Sequence, residues 1–254
     1  MEKRYDVIIV GGGPAGIFTA LELMEKPGIK ILMLEKGKNL SARECPSKER
    51  NIPCPGCDPC SIVCGWGGAG AFSDGKLTLS TEVGGFLDEY VTKERLHKLV
   101  RYVDDVYLRY GAPEEVYGTD EEAIADIERR AVLANLRLIP SKIRHLGTGR
   151  TKEVLQAMQD YLVEKGLEIQ LKESAQEMLV KDGKLIGIRT GQGTEYHADY
   201  VVLGPGREGA EWLGNQADRL NLRKTVNPVD IGVRVELPAE VMESLTSVIF
   251  ETKF

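Results

Sequence analysis

Tyr5-Asp-Val-Ile-Ile-Val10 runs directly into Gly11-Gly-Gly13-Pro14-Ala15-Gly16. The first six residues have the apolar run of a buried strand, and the glycines fit the pattern G-x-G-x-x-G. From Gly16 to Glu25 the residues Ile17, Ala20, Leu21 and Met24 recur at helical spacing, and Pro27-Gly28 ends that helix. Ile29 to Leu34 predicts a second strand with Glu35 at its end. A glycine pattern alone is a weak signal, but here it lies between a strand and a helix, the context that gives it a mechanism. Gly11 permits the tight turn, Gly13 lets a pyrophosphate approach the backbone, and Gly16 allows close helix–strand packing. The helix opens at Pro14, which has no N–H to leave unpaired, and from Ala15 onward it offers N–H groups and a positive dipole end to phosphate. An acidic Glu35 accepts hydrogen bonds from a ribose diol and repels a 2′-phosphate, so the dinucleotide expected is FAD or NAD rather than NADP.

Around this unit the chain has 254 residues, long enough for one large domain or two modest ones without a disulfide framework. Apolar residues make up 42% and charged residues 28%, which excludes disordered, collagenous and coiled-coil classes. With 33 Lys+Arg against 39 Asp+Glu the net charge is −6, which argues against nonspecific nucleic-acid binding. No apolar run approaches the roughly 18 residues of a membrane span, and no signal-peptide pattern opens the chain. The expectation is a cytoplasmic protein with no membrane and no nucleic-acid partner. Glycine is in excess, at 28 residues, and four of the five cysteines fall between Cys54 and Cys64.

Residues 37–92 are rich in Gly, Pro, Ser and Cys with little periodicity, and so long an irregular stretch inside a domain points to function. Helical spacing resumes at Lys93 and is closed by Gly111; Thr119-Asp-Glu-Glu122 predicts a capping box for a helix reaching about Leu136; Thr151–Lys165 is a third helix, ended by Gly166. Strands are predicted at Leu167–Lys172, Gln176–Lys181, Leu185–Thr190 and Thr194–Leu203, with Asp182-Gly183 as a hairpin turn. Val229 to Leu237 alternates like a strand, Pro238–Ser244 reads as a short helix, and Ser247–Phe250 starts another strand. Gly204-Pro-Gly206-Arg-Glu-Gly209 is a second literal glycine match after a strand.

Gly65-Trp-Gly67-Gly68-Ala69-Gly70-Ala-Phe-Ser73-Asp-Gly75-Lys76 has little side-chain bulk before Phe72, so its backbone can lie against a flat ligand; Ser73, Asp74 and Lys76 are its polar groups. Together with the first glycine motif and the strand end Val201-Val-Leu-Gly204-Pro-Gly206-Arg207, this segment resembles the FAD-dependent dehydrogenases of bacteria and archaea within the glutathione-reductase-like (GR2-type) flavoproteins. His145-Leu-Gly-Thr148 and residues 229–234 share the resemblance, which runs over nearly the whole chain.

The resemblance implies an FAD-dependent oxidoreductase with a non-covalent flavin and a small-molecule substrate or electron-transfer partner. Gly11, Gly13, Pro14, Ala15 and Gly16 would hold the pyrophosphate, and Glu35 with Lys36 the adenosine ribose. Gly67, Gly68, Ala69, Gly70, Ser73, Gly75 and Lys76 would lie near the flavin, Ala175 would offer backbone to the adenine, and Gly204 and Gly206 would form the second strand end. Gly204 departs from the alanine usual there. No catalytic acid or base is named. Family members are longer, so the resemblance implies the N-terminal part of a flavoprotein that binds FAD weakly by itself. The expected fold is α/β: a Rossmann-like FAD-binding domain over 1–225, with the Cys/Gly-rich loop 37–92, a helical insertion 93–165 and a β-meander, then the start of a substrate domain over 226–254. The alternatives are an NAD-dependent dehydrogenase without flavin and a non-catalytic module carrying flavin or metal.

Cys54-x2-Cys57-x2-Cys60-x3-Cys64 has the spacing of a bacterial ferredoxin run, and Cys45 before Pro46 is a candidate remote ligand. A [4Fe-4S] cluster ranks first, a tetrahedral zinc site second because zinc more often pairs two separate C-x2-C hairpins, and unmetallated thiols stand as the third alternative.

Overall fold

The computed structural model describes residues 4–226, 229 and 231–254, with only the backbone of Thr148. In chain order the elements are β1 (Arg4–Val10), α1 (Pro14–Leu23), β2 (Ile31–Glu35), α2 (Pro46–Arg50), β3 (Lys76–Thr78), α3 (Lys93–Arg109), α4 (Glu121–Leu133), β4 (Ile143–His145), α5 (Thr148–Glu164), β5 (Glu168–Leu171), β6 (Ala175–Lys181), β7 (Lys184–Thr190), β8 (Glu195–Leu203), α6 (Ala210–Arg219) and α7 (Ala239–Thr246). They divide into two compact units, residues 1–73 with 151–226 and residues 74–150 with 227–254.

The first unit is built on a six-stranded sheet in the order β5-β2-β1-β8-β7-β6. β1 is parallel to β2 and to β8, and β2 is parallel to β5. β6, β7 and β8 form the antiparallel meander, turning between the first two at Asp182-Gly183, both at positive φ as a two-residue hairpin requires. β1 and β2 read as continuous apolar runs because they are inner parallel strands: Ile8, Ile9, Ile31, Leu32, Met33 and Leu34 are all buried. One core cluster joins Ile8, Val10, Leu32 and Leu34 to Met178, Ile188 and Tyr196 of the meander. α5 buries Val154, Leu155, Met158 and Leu162, positions four apart or adjacent on one helical face.

In the second unit β3 and β4 pair antiparallel, with Lys76 opposite His145 and Leu77 opposite Arg144. Arg144 is buried, and its guanidinium spans both oxygens of Asp104, at 2.6 and 2.8 Å, and the Pro113 carbonyl. Ile127, Ala131, Leu138 and Ile249 form a small core. α3 is capped by Thr92, whose hydroxyl accepts from the Arg95 N–H. The cap of α4 is Asp120, accepting from the Ala123 N–H, one residue after the predicted Thr119. A carboxylate one position closer to the helix replaces the expected hydroxyl.

Two expectations at the C-terminal end are corrected. Among the described residues 229 and 231–237 there is no strand, and Ile231, Val233 and Val235 are exposed. Period-two alternation supplies two faces, but a strand also needs partners for its backbone groups, and no neighbouring strand supplies them here. Asp230 lies outside the described residues. Residues 247–250 continue from α7 as a turn, with Val248 and Ile249 N–H groups donating to the Leu245 carbonyl.

Candidate functional site

The carboxyl edge of the parallel strands gathers the glycine loop, Glu35 and the segment 64–72. Gly11 sits at φ +103°, where a Cβ would run into the Gly204 carbonyl, and a Cβ at Gly16 would meet the Gly11 carbonyl; neither position admits another residue without movement. The Gly204 N–H closes the edge onto the Val10 carbonyl at 2.8 Å. Gly204 explains itself: a Cβ there would stand 3.3 Å from the Ala15 Cβ, so the usual alanine is crowded by this chain's own Ala15. Gly206, at φ +66°, opens a short 3-10 turn over residues 207–209.

α1 begins with Gly13 as an uncapped N-cap and Pro14 in its first turn, while Pro14 and Ala15 are exposed. No side chain caps this helix start, and Pro14 has no N–H, so the N–H groups that follow are left without a side-chain partner at the positive end of the helix dipole. A Cβ on Gly13 would find only the Gly68 Cα within 4 Å, at 3.8 Å. These are the features a phosphate cradle needs.

Glu35 is buried, and backbone already engages it. Its Oε2 accepts from the Gly12 N–H at 2.7 Å, and its Oε1 accepts from the N–H groups of Gly37 at 2.7 Å and Gly65 at 2.9 Å. A carboxylate has about four lone-pair directions, so roughly one remains for a ribose hydroxyl. One side chain thus ties the glycine loop, the chain leaving β2 and the cysteine–glycine segment together. Lys36 pairs with Glu208 at 3.4 Å.

The segment 64–72 is fastened from three sides. The Gly67 N–H donates to the Gly12 carbonyl at 2.8 Å, and the Gly68 backbone touches Gly13 closely enough that a Cβ at Gly68 would be 3.0 Å from the Gly13 Cα. Trp66 is fully buried, its indole N–H donating to the Leu155 carbonyl of α5 at 2.7 Å. Arg43, also buried, donates to the carbonyls of Ser61, Ile62 and Trp66 at 2.9, 2.7 and 2.6 Å. Arg43 and Lys152 also stand over the Phe72 ring, at 4.8 and 4.6 Å from its centroid. From Gly68 to Phe72 the chain makes a 3-10 turn containing Ala69 and Gly70, and the Ser73 hydroxyl donates to the Gly70 carbonyl.

Arg43, Trp66 and the backbone N–H groups of Gly37 and Gly65 were not singled out by the sequence. The only signal was one of two arginines and one of the chain's two tryptophans within an irregular stretch. Gly75 and Lys76 belong to the second unit. There the Lys76 ammonium is held by Asp74 at 3.0 Å and Glu251 at 2.8 Å, and both raise its pKa. His145, opposite Lys76, stacks on Phe250 with centroids 4.5 Å apart. Ala175 opens β6, directly after the turn that leaves β5.

The five cysteines do not fit a metal centre in this arrangement. Cys54 and Cys57 are exposed, Cys45 and Cys60 half-buried, and Cys64 buried. Among the described residues no group of three or more His, Cys, Asp or Glu side chains is placed to hold an ion. Burial pushes the Cys64 thiol up to about 11. The spacing that suggested a cluster instead makes a turn, in which the Cys64 N–H bonds the Cys60 carbonyl at 2.8 Å.

Residues 4–44 match the model of a family described as FAD binding domain. An uncharacterized protein of Clostridium beijerinckii is 28% identical over 92% of this chain and 37% of its own length. Among solved structures, L-amino acid deaminase from Proteus vulgaris aligns at 17% identity and a TM-score of 0.51, over 87% of this chain and 51% of that one. Glycine oxidase from Geobacillus kaustophilus aligns at 16% identity and a TM-score of 0.50, over 87% of this chain and 59% of that one. The chain spans little more than a third of its sequence relative and just over half of these two structures. No helix among the described residues is long and apolar enough to cross a membrane. With glycine loop, parallel strands and acidic strand end in register, the fold is the Rossmann-like α/β fold of FAD-binding domains.

Proposed function

We propose that this chain carries FAD non-covalently as part of an FAD-dependent oxidoreductase acting on a small-molecule substrate. The observation that carries the reading is the uncapped, glycine-lined turn from β1 to α1, inside the stretch that matches an FAD-binding family and tied to Glu35. When bound, the flavin supplies hydride and single-electron transfer. The chain's own residues bind and orient. The N–H groups at the start of α1, with Gly11 and Gly13, would receive the pyrophosphate. Glu35 would use its remaining acceptor on the adenosine ribose, and the Ala175 backbone would face the adenine. The low-bulk turn from Gly67 to Gly70, fixed by Arg43 and Trp66, would let the flavin end lie close against its backbone.

The test is anaerobic. The protein is loaded with FAD, freed of excess by gel filtration and mixed with a panel of small-molecule reductants, amino acids among them. Bleaching of the bound flavin's visible absorption by at least one substrate class, restored by an electron acceptor, is the expected result. A protein that holds FAD but is bleached by none of them and by no reduced nicotinamide contradicts the oxidoreductase reading.

A further inference from the structure

α3 has an apolar stripe that the second unit covers only in part. Leu96, Leu99, Val100 and Val103 recur on one helical face, yet all four are half-buried, and only Val106 further along the stripe is buried. The chain leaving β3 passes over this face. Its Leu79 N–H is held by the Lys142 carbonyl at 2.7 Å, and it ends in a 3-10 turn over Leu87–Glu89. Leu77, Leu79, Val83 and Leu87 from this loop and the four α3 residues line one cavity of about 280 Å³, wholly within the second unit. The loop bends at Gly84 and Gly85, both at positive φ, and a Cβ at either would find no atom within 4 Å. That side of the cavity therefore stays open.

Close-packed interiors leave few voids larger than a water molecule, so an aliphatic space of this size is suited to a ligand. A dry cavity of roughly 150 Å³ takes benzene, so this one has room for about ten to twelve heavy atoms. Its polar groups are few: the hydroxyls of Thr78, Ser80 and Thr81 and the Asp88 carboxylate. The Ser80 hydroxyl already accepts from the Glu82 N–H at 3.1 Å. Asp88 is exposed and makes no ion pair among the described residues. No Lys, Arg or His lines the cavity. Residues 77–92 carry Glu82, Asp88 and Glu89 and no basic residue, and Lys98 of α3 is committed to Glu94 at 2.6 Å. The cavity thus combines an aliphatic interior with a negative potential at Asp88.

We propose that this cavity binds a small aliphatic molecule that ends in a cation, its tail between the loop and α3 and its charged head at Asp88. An aliphatic carboxylate of the same size would set its charge against Asp88. This goes beyond the FAD reading: it is a second ligand site in the other unit, and its test uses neither flavin nor nucleotide.

Calorimetric titration of the full chain in low salt with octylamine, octanol and octanoate, each of about nine or ten heavy atoms, tests it. Octylamine is expected to saturate a single site and to bind about tenfold more tightly than octanoate, because an exposed carboxylate attracts one head group and repels the other by a few-fold each. Hexylamine should bind about fifteenfold more weakly than octylamine, since each methylene withdrawn from water is worth about fourfold. Asp88→Asn should bring the three octyl probes within about threefold of one another. Val103→Phe puts a ring into the cavity and should weaken octylamine by at least about tenfold. No saturable octylamine binding, octanoate bound as tightly as octylamine, or a folded Val103→Phe variant with unchanged affinity would overturn the proposal. If circular dichroism shows Val103→Phe unfolded, the wild-type ranking and the Asp88→Asn response decide.

Discussion

Replacing Glu35 by Gln asks whether one carboxylate organises the site before any nucleotide arrives. The native side chain accepts three backbone N–H groups, two on Oε1 and one on Oε2. A glutamine that keeps its oxygen toward Gly37 and Gly65 must turn its NH2 onto the Gly12 N–H, donor against donor at what was a 2.7 Å contact. Leaving that buried donor unpaired costs about 1–3 kcal/mol. The two retained bonds lose their charge assistance, which is worth about 0.5–1.5 kcal/mol each. The expected loss is about 3–4 kcal/mol, a large fraction of the stability of an ordinary domain. Urea unfolding followed by far-UV circular dichroism, at unchanged m-value, measures it. A loss below about 1 kcal/mol would refute the reasoning, since it would mean the three N–H groups are satisfied equally well without the charge.

In the second unit, Asp104→Asn removes the charge facing the buried Arg144 guanidinium and should cost about 3 kcal/mol in the same assay; a neutral substitution contradicts the pairing. Gly67→Ala places a Cβ 2.6 Å from the Leu155 Cδ1 in a residue at φ +84°, so about 2–3 kcal/mol should be lost and the emission of buried Trp66 should shift; unchanged stability and spectrum argue against the packing of residues 64–72 on α5. Cys64 gives a pH dependence. Its thiol keeps its proton up to about 11, whereas an unfolded cysteine ionises near about 8.5. Between these values the unfolded chain binds fewer protons than the folded one, so stability should fall as pH rises through that window. Cys64→Ala should remove that component of the slope, and identical slopes would count against the buried thiol.

The β1–glycine loop–α1–β2 unit was legible because its information is local: an apolar run, glycines where a Cβ would strike backbone, and helical spacing after them. The same holds for α3, α5 and the Asp182-Gly183 hairpin. The position of Glu35 was legible too, from its place at a strand end. What it touches was not, because Gly65 lies 30 residues away and is brought back by Arg43 and Trp66, whose partners are carbonyl groups that carry no sequence signature. Residues 229–237 show the converse. Their alternation is real, but a strand depends on a neighbour that the pattern cannot supply. In the cysteine run, spacing alone suggested a cluster, whereas in the fold Cys64 is buried and Cys54 and Cys57 are exposed.

The central claim is that the first unit grips the adenosine diphosphate half of FAD. Its most direct test is flavin fluorescence titrated with the protein, using FAD and, separately, FMN, which has the same flavin and no adenosine. Saturable binding of FAD, competed by ADP, with FMN much weaker, is the predicted result. Absence of saturable FAD binding, or FMN binding as tightly as FAD, would contradict the account.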